Sequence, residues 1–176
     1  MADGSIIEFE PLPAIAATVL GEDIRAASAA EMQQAVLTRI FDRYAAEQGI
    51  VVAESEVDAY VKQMQQAMSS DPNMQGDDEL TPEEAAQIEE MRRQMGYALI
   101  RQWKLNRQLY RQYGGRVIYQ QLGPEPLDAY RQYLEERQTA GDFKIIEPRF
   151  EDEFWRYYRD TEMHDFFEPG TEESAF

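Results

Sequence analysis

Cysteine is absent from this chain of 176 residues, and histidine occurs once. The first absence excludes disulfides, thiolate metal sites and cysteine nucleophiles. The second leaves no convincing Ser–His–Asp order, because the sole imidazole, His164, comes late in the chain. Positive charge is scarce as well. Lys and Arg number 17 against 34 Asp and Glu, a formal net charge of −17 at pH 7. A field of that sign repels nucleic acid and anionic lipid at long range, so either partner needs a local basic patch. No apolar run approaches the roughly 20 residues of a membrane span. The opening stretch, MADGSIIEFEPLPAIAATVLGED, lacks a basic n-region and a long apolar block, and does not read as an intact signal peptide.

What is present is enough apolar material for a core: 43% hydrophobic residues and 11% aromatic. Residues 1–18 read as an extended arm, with Pro11 and Pro13 within it and room in AIAATVLGEDI for a short strand or turn. From Ala29, Met32, Val36, Ile40 and Tyr44 recur at the spacing of a helix face, and Gly49 supplies the stop. A second helix is expected over Glu54–Met68. Residues 71–90 hold eight acids (Asp71, Asp77, Asp78, Glu79, Glu83, Glu84, Glu89, Glu90) and no cation, so a mobile acidic loop is expected near 69–80. Thr81-Pro82-Glu83-Glu84 is a helix start with a capping box. The helix it opens runs on to Tyr113, with Gly96 as a possible bend, and spans about 48 Å at ~1.5 Å per residue. Shorter helices are expected over Pro126–Thr139 and Arg149–Phe167, with a brief strand at FKIIE and an acidic tail over 168–176. The fold class implied is all-α or nearly so: one helical domain over 19–167 around one long central helix, with an extended N-terminal arm.

The segment Met91–Arg116 carries seven cations and no acid: Arg92, Arg93, Arg101, Lys104, Arg107, Arg111 and Arg116. On a helical wheel Met95, Leu99, Trp103, Leu105, Leu109, Tyr110 and Tyr113 gather on one arc and most cations on the other. The balance of charge favours a helix whose cations face an acidic remainder. A membrane-surface helix is an alternative. Nucleic acid is opposed by the rest of the chain, which carries about −24 once these seven charges are removed.

Gly114-Gly115 follow a helix, and no P-loop lysine and hydroxyl accompany them, so they read as a C-cap and not as a phosphate cradle. Glu162, His164, Asp165 and Glu168 form a lone-imidazole cluster that reads as a solvated face, and no metal or other cofactor is expected. Met64, Met68 and Met74 suit a core or an adaptable apolar surface better than a soft-metal site. Paired carboxylates are too common in so acidic a chain to mark a glycosidase-like pair. An enzyme is not expected.

The stretch VLGEDIRAASAAEMQQAVLTRIFDRYAAEQGIVVAESEVDAYVKQM resembles the N-terminal chaperone domain of SurA-type periplasmic folding factors, which are related to the peptide-binding arms of trigger factor. The matching positions are Gly21, Ile24, Val36 to Ile40, Tyr44-Ala45, Gly49-Ile50 and Glu56-Val57-Asp58. The similarity covers Val19–Met68. Ala53 stands where the family often has Ser or Thr, and the chain shows no pattern of a parvulin isomerase domain. The resemblance implies a non-catalytic periplasmic chaperone that binds unfolded or extended polypeptide. The alternative is an interaction module for one dedicated protein partner, or a homodimer scaffold. The residues expected to bind polypeptide are Met64, Met68, Trp103, Tyr110, Tyr113 and Trp155. Tyr157, Tyr158, Phe166 and Phe167 are further aromatics that suit either such a surface or a core.

Overall fold

A computed structural model of the protein describes residues 12–70 and 81–176. The elements run β1 (Ile15–Val19), β2 (Glu22–Arg25), α1 (Ala29–Glu47), α2 (Glu54–Ser70), α3 (Pro82–Tyr113), β3 (Ile118–Gln120), β4 (Gly123–Glu125), α4 (Leu127–Thr139), β5 (Phe143–Ile145) and α5 (Pro148–Arg159). Short 3-10 turns follow at Thr161–Met163 and Glu172–Ala175. This overturns the expected all-α class built around one long central helix. The described residues hold five helices, a three-stranded antiparallel sheet ordered β2-β1-β5 and a β3-β4 hairpin, so the fold is mixed α/β. The arm expected over 1–18 lies outside the described residues up to residue 11, and its last part enters β1. Of the loop expected near 69–80, only Ser69 and Ser70 are described, closing α2.

The chain divides into two compact units. The sheet unit comprises the described residues up to Arg43, together with Arg131–Met163. In it Ala17, Val19, Phe143 and Ile145 are buried while Lys144 is exposed, the alternation of a sheet with one covered face. Met32, Val36 and Ile40, four apart on α1, are buried in the same unit. So are Phe154, Trp155 and Tyr158 of α5, and the Phe154 ring stands 5.7 Å from that of Phe143. β1 and β2 are joined by two residues, Leu20 and Gly21, with φ of 50° and 84°. Positive φ at both central positions is the type I′ geometry that matches strand twist. Gly21 adopts it freely, whereas Leu20 is strained there. The Leu20 amide donates to the Asp142 carbonyl at 2.7 Å, which ties the turn down.

The hairpin unit comprises the described residues of Tyr44–Tyr130, together with His164–Phe176. α3 starts at Thr81, whose hydroxyl accepts from the Glu84 amide while the Glu84 carboxylate accepts from the Thr81 amide. That capping box satisfies donors the first turn cannot. It also holds the Glu84 carboxyl below its ordinary pKa, chiefly through the Thr81 amide. α2 and α3 lie side by side. Arg93 bridges Asp58 at 2.6 Å and Glu54 at 3.1 Å, and Lys104 bridges Glu56 at 2.6 Å. Gly96 lies inside α3, which is one helix from Pro82 to Tyr113. It is buried, and a β-carbon there would stand 2.7 Å from the Tyr60 ring, so the glycine admits close approach of α2. Ala53, at the start of α2, donates its amide to the Glu56 carboxylate at 2.8 Å.

Two outcomes follow. Leu20→Asn relieves the strained φ at a position 40% exposed, and raises stability by about 0.5–1 kcal/mol in denaturant unfolding. Gly114 and Gly115 both have positive φ, yet an added β-carbon meets nothing at Gly114 and the Asp128 β-carbon at 2.6 Å at Gly115. Gly114→Ala therefore costs about 1 kcal/mol and Gly115→Ala roughly 1–3 kcal/mol more, measured the same way.

Candidate functional site

In the hairpin unit α3 ends at Gly114, whose amide donates to the Tyr110 carbonyl at 2.7 Å. The helix stop leaves the last turn's side chains around a cleft of about 550 Å³. Arg107, Tyr110, Arg111 and Tyr113 line it from α3, and Phe176 enters it. The Phe176 ring stacks on Tyr110 with centroids 5.2 Å apart. The Arg107 guanidinium lies 5.1 Å from the Trp103 ring, which extends the aromatic surface one turn back along the helix. Trp103 is 38% exposed. Among the described residues neither Arg107 nor Arg111 has an ion-pair partner, although acids outnumber cations two to one in this chain. Burial, with the Glu172 and Glu173 carboxylates, pushes the Tyr110 hydroxyl above its ordinary pKa.

Beyond the cleft, the backbone returns through β3. Asp128 accepts from the Arg116 amide at 2.9 Å and clamps its guanidinium through both carboxylate oxygens, at 2.8 and 3.0 Å. The clamp needs the close approach that Gly115 permits. It keeps Arg116 charged, raising its pKa further, and aims the guanidinium at the Phe166 ring, 4.6 Å away. Phe167 stacks on Tyr119 at 3.8 Å. Asp165–Phe167 runs antiparallel to β3. The Tyr119 amide donates to the Asp165 carbonyl and the Phe167 amide to the Val117 carbonyl, each at 2.9 Å.

Of the residues expected to bind polypeptide, Tyr110 and Tyr113 share the cleft, and Trp103 adjoins it through Arg107. Met64 and Met68 are half-buried on α2, where the Met68 sulfur accepts from Arg92 at 3.8 Å, and neither lines the cleft. Trp155 belongs to the sheet unit, 3% exposed, edge-on to Phe154 and covered by the Arg159 guanidinium. The cluster around His164 is divided, with Glu162 in the sheet unit and His164, Asp165 and Glu168 in the hairpin unit. Among the described residues no three metal-ligating side chains stand together. Met74 lies outside the described residues.

Sequence reasoning missed Arg107 and Arg111, which sit on the cationic arc of α3, and Phe176, which sits in a stretch read as an acidic tail. Their one sequence signal is a phenylalanine following the acidic run of 172–173. Among the described residues no helix is long and apolar enough to cross a membrane. No protein-family model matches the chain, and no curated protein or solved structure matches it either.

The Tyr110 titration checks the geometry. Anions near a phenol disfavour its ionised form, so Glu172→Gln with Glu173→Gln lowers the Tyr110 pKa toward its ordinary value, leaving the part due to burial. Because the folded value is raised, the Phe176–Tyr110 arrangement is favoured below about pH 10 and lost as pH rises through the folded pKa. NMR titration of labelled tyrosine, with Tyr110→Phe to assign the signal, measures both; an unchanged pKa in the double variant would contradict the arrangement.

Proposed function

We propose that this protein is a non-catalytic, chaperone-like binder of unfolded or extended polypeptide in the bacterial envelope. The observation that supports the reading is the cleft at the end of α3, where two tyrosines and two guanidiniums receive a phenylalanine side chain. Stacking on an aromatic face is indifferent to the sequence around the ring, and a guanidinium adds attraction both to the ring and to any neighbouring carboxylate. A surface of that composition suits tolerant binding of many chains. Exposed apolar side chains on α3 extend it in kind: Met91 is 59% exposed, Met95 42% and Tyr97 49%. Unbranched methionine adapts to differently shaped partners. The envelope location follows from the resemblance of Val19–Met68 to SurA-type chaperone domains.

The test is light scattering of a chemically unfolded client diluted into buffer. Equimolar protein suppresses aggregation, and the combined substitution Trp103→Ala, Arg107→Ala, Tyr110→Ala raises the protein needed by about tenfold, the loss of roughly 1.4 kcal/mol of binding. Undiminished aggregation with every client tried would remove the reading, and binding confined to one stoichiometric partner would replace it with a dedicated interaction module.

A further inference from the structure

We propose that the His164–Phe176 segment is a cis occupant of the polypeptide site, and that the site's trans partner is an extended segment bearing phenylalanine among carboxylates. The inference rests on the polypeptide-binding reading above and specifies its ligand. The segment contains Phe166, Phe167 and Phe176, together with Asp165, Glu168, Glu172 and Glu173, and no Lys or Arg. All three phenylalanines are only half-buried, so none is a core residue.

The segment is held in two places. At the first, Asp165–Phe167 adds to the free edge of β3 through the two main-chain hydrogen bonds and the Ile118–Phe166 bridge. Successive side chains then alternate in direction, with Phe166 beneath Arg116 and Phe167 against Tyr119. This is strand addition, in which backbone bonds supply affinity and alternate pockets supply selectivity. At the second, Phe176 fills the Tyr110 slot. Between them the chain turns on its own hydrogen bonds: the Thr171 amide and hydroxyl both donate to the Glu168 carbonyl. Contacts of these kinds, main-chain bonds and ring stacks, can be reproduced by another peptide of the same chemistry. Arg107 and Arg111, without ion-pair partners among the described residues, favour an acidic one. Intramolecular tethering gives the cis segment an effective concentration of order millimolar, so a trans peptide binds only as the segment leaves.

The absence of cysteine allows a clean test in the full chain. Ile118 and Phe166 face each other as a non-hydrogen-bonded antiparallel pair, the arrangement with the closest side chains and one a disulfide can span. The double variant Ile118→Cys, Phe166→Cys is compared oxidised and reduced, using a fluorescent peptide of the Thr161–Phe176 sequence as probe. A second full-length variant, Phe166→Ser, Phe167→Ser, Phe176→Ser, leaves the site open without a crosslink. The expected results are binding at least about tenfold tighter to the reduced than to the oxidised chain, and to the triple-serine variant than to the unaltered chain. A probe with alanine at its three phenylalanines should lose binding.

Equal affinities across both pairs would overturn the proposal. So would equal binding of the alanine probe, or loss of fold in the triple-serine variant seen by circular dichroism, which would make the segment a structural strand. A disulfide joining two copies would assign the occupant to a second molecule and overturn it as well. The client aggregation assay on the same samples separates the two readings. Equal suppression by locked and released chains removes cis occupancy and leaves polypeptide binding standing; no suppression and no peptide binding by either removes both.

Discussion

A single carboxamide, that of Asn106, ties the strands of the hairpin unit to its long helix. Asn106 is buried on α3 beside Leu105 and Leu109. Its nitrogen donates to the Pro124 carbonyl on β4 at 2.9 Å. Its oxygen accepts from Gln102 at 2.8 Å and from the Tyr130 hydroxyl at 2.6 Å. A buried amide without partners would cost about 1–3 kcal/mol, so this network admits one placement of the β3-β4 hairpin on α3 and disfavours others. β3 in turn carries Tyr119 and the edge on which Asp165–Phe167 lies. The placement of that edge thus depends on a buried polar group on α3.

Charge is the second constraint. Two of the six cations on α3 do what an acidic chain leads one to expect: Arg93 and Lys104 face α2 carboxylates. Such exposed pairs contribute little stability individually, about 0–1 kcal/mol each, and serve more to set which faces meet. Arg116 differs, because Asp128 holds it bidentate and presents its flat face to an aromatic ring. Arg107 and Arg111 sit beside Tyr110 with Phe176 between elements of the cleft. The local excess of guanidinium there stands against a net charge of −17.

Helix limits were legible because they are written locally. Thr81, Pro82 and Glu84 make a capping box within four residues, and α3 begins there; Gly114 ends it with positive φ. Gly49, with φ of 63°, likewise stands just beyond α1. The strands were poorly legible. β3 and β4 have three residues each, too few for an alternation to emerge, whereas β5 lies where a brief strand was expected at FKIIE. The last helix was expected to reach Phe167 and stops at Arg159. Phe166 and Phe167 fit helical spacing, but the Asp165 carbonyl and the Phe167 amide are bonded to β3, a partner some fifty positions earlier.

From the sequence alone came the limits of the first three helices, the amphipathic face of α3, the absence of thiol chemistry, and the gathering of cations on one segment. Each rests on residues within a few positions of one another, whose preferences act before the chain is compact. Only the tertiary structure decided that the fold is mixed α/β, that Trp155 is core while Trp103 is surface, and that Phe176 meets Tyr110. Those outcomes depend on which distant groups exclude water from which ring and which strand edge finds a donor. An aromatic residue carries the same local preferences in either place, so its role is set by its neighbours in space.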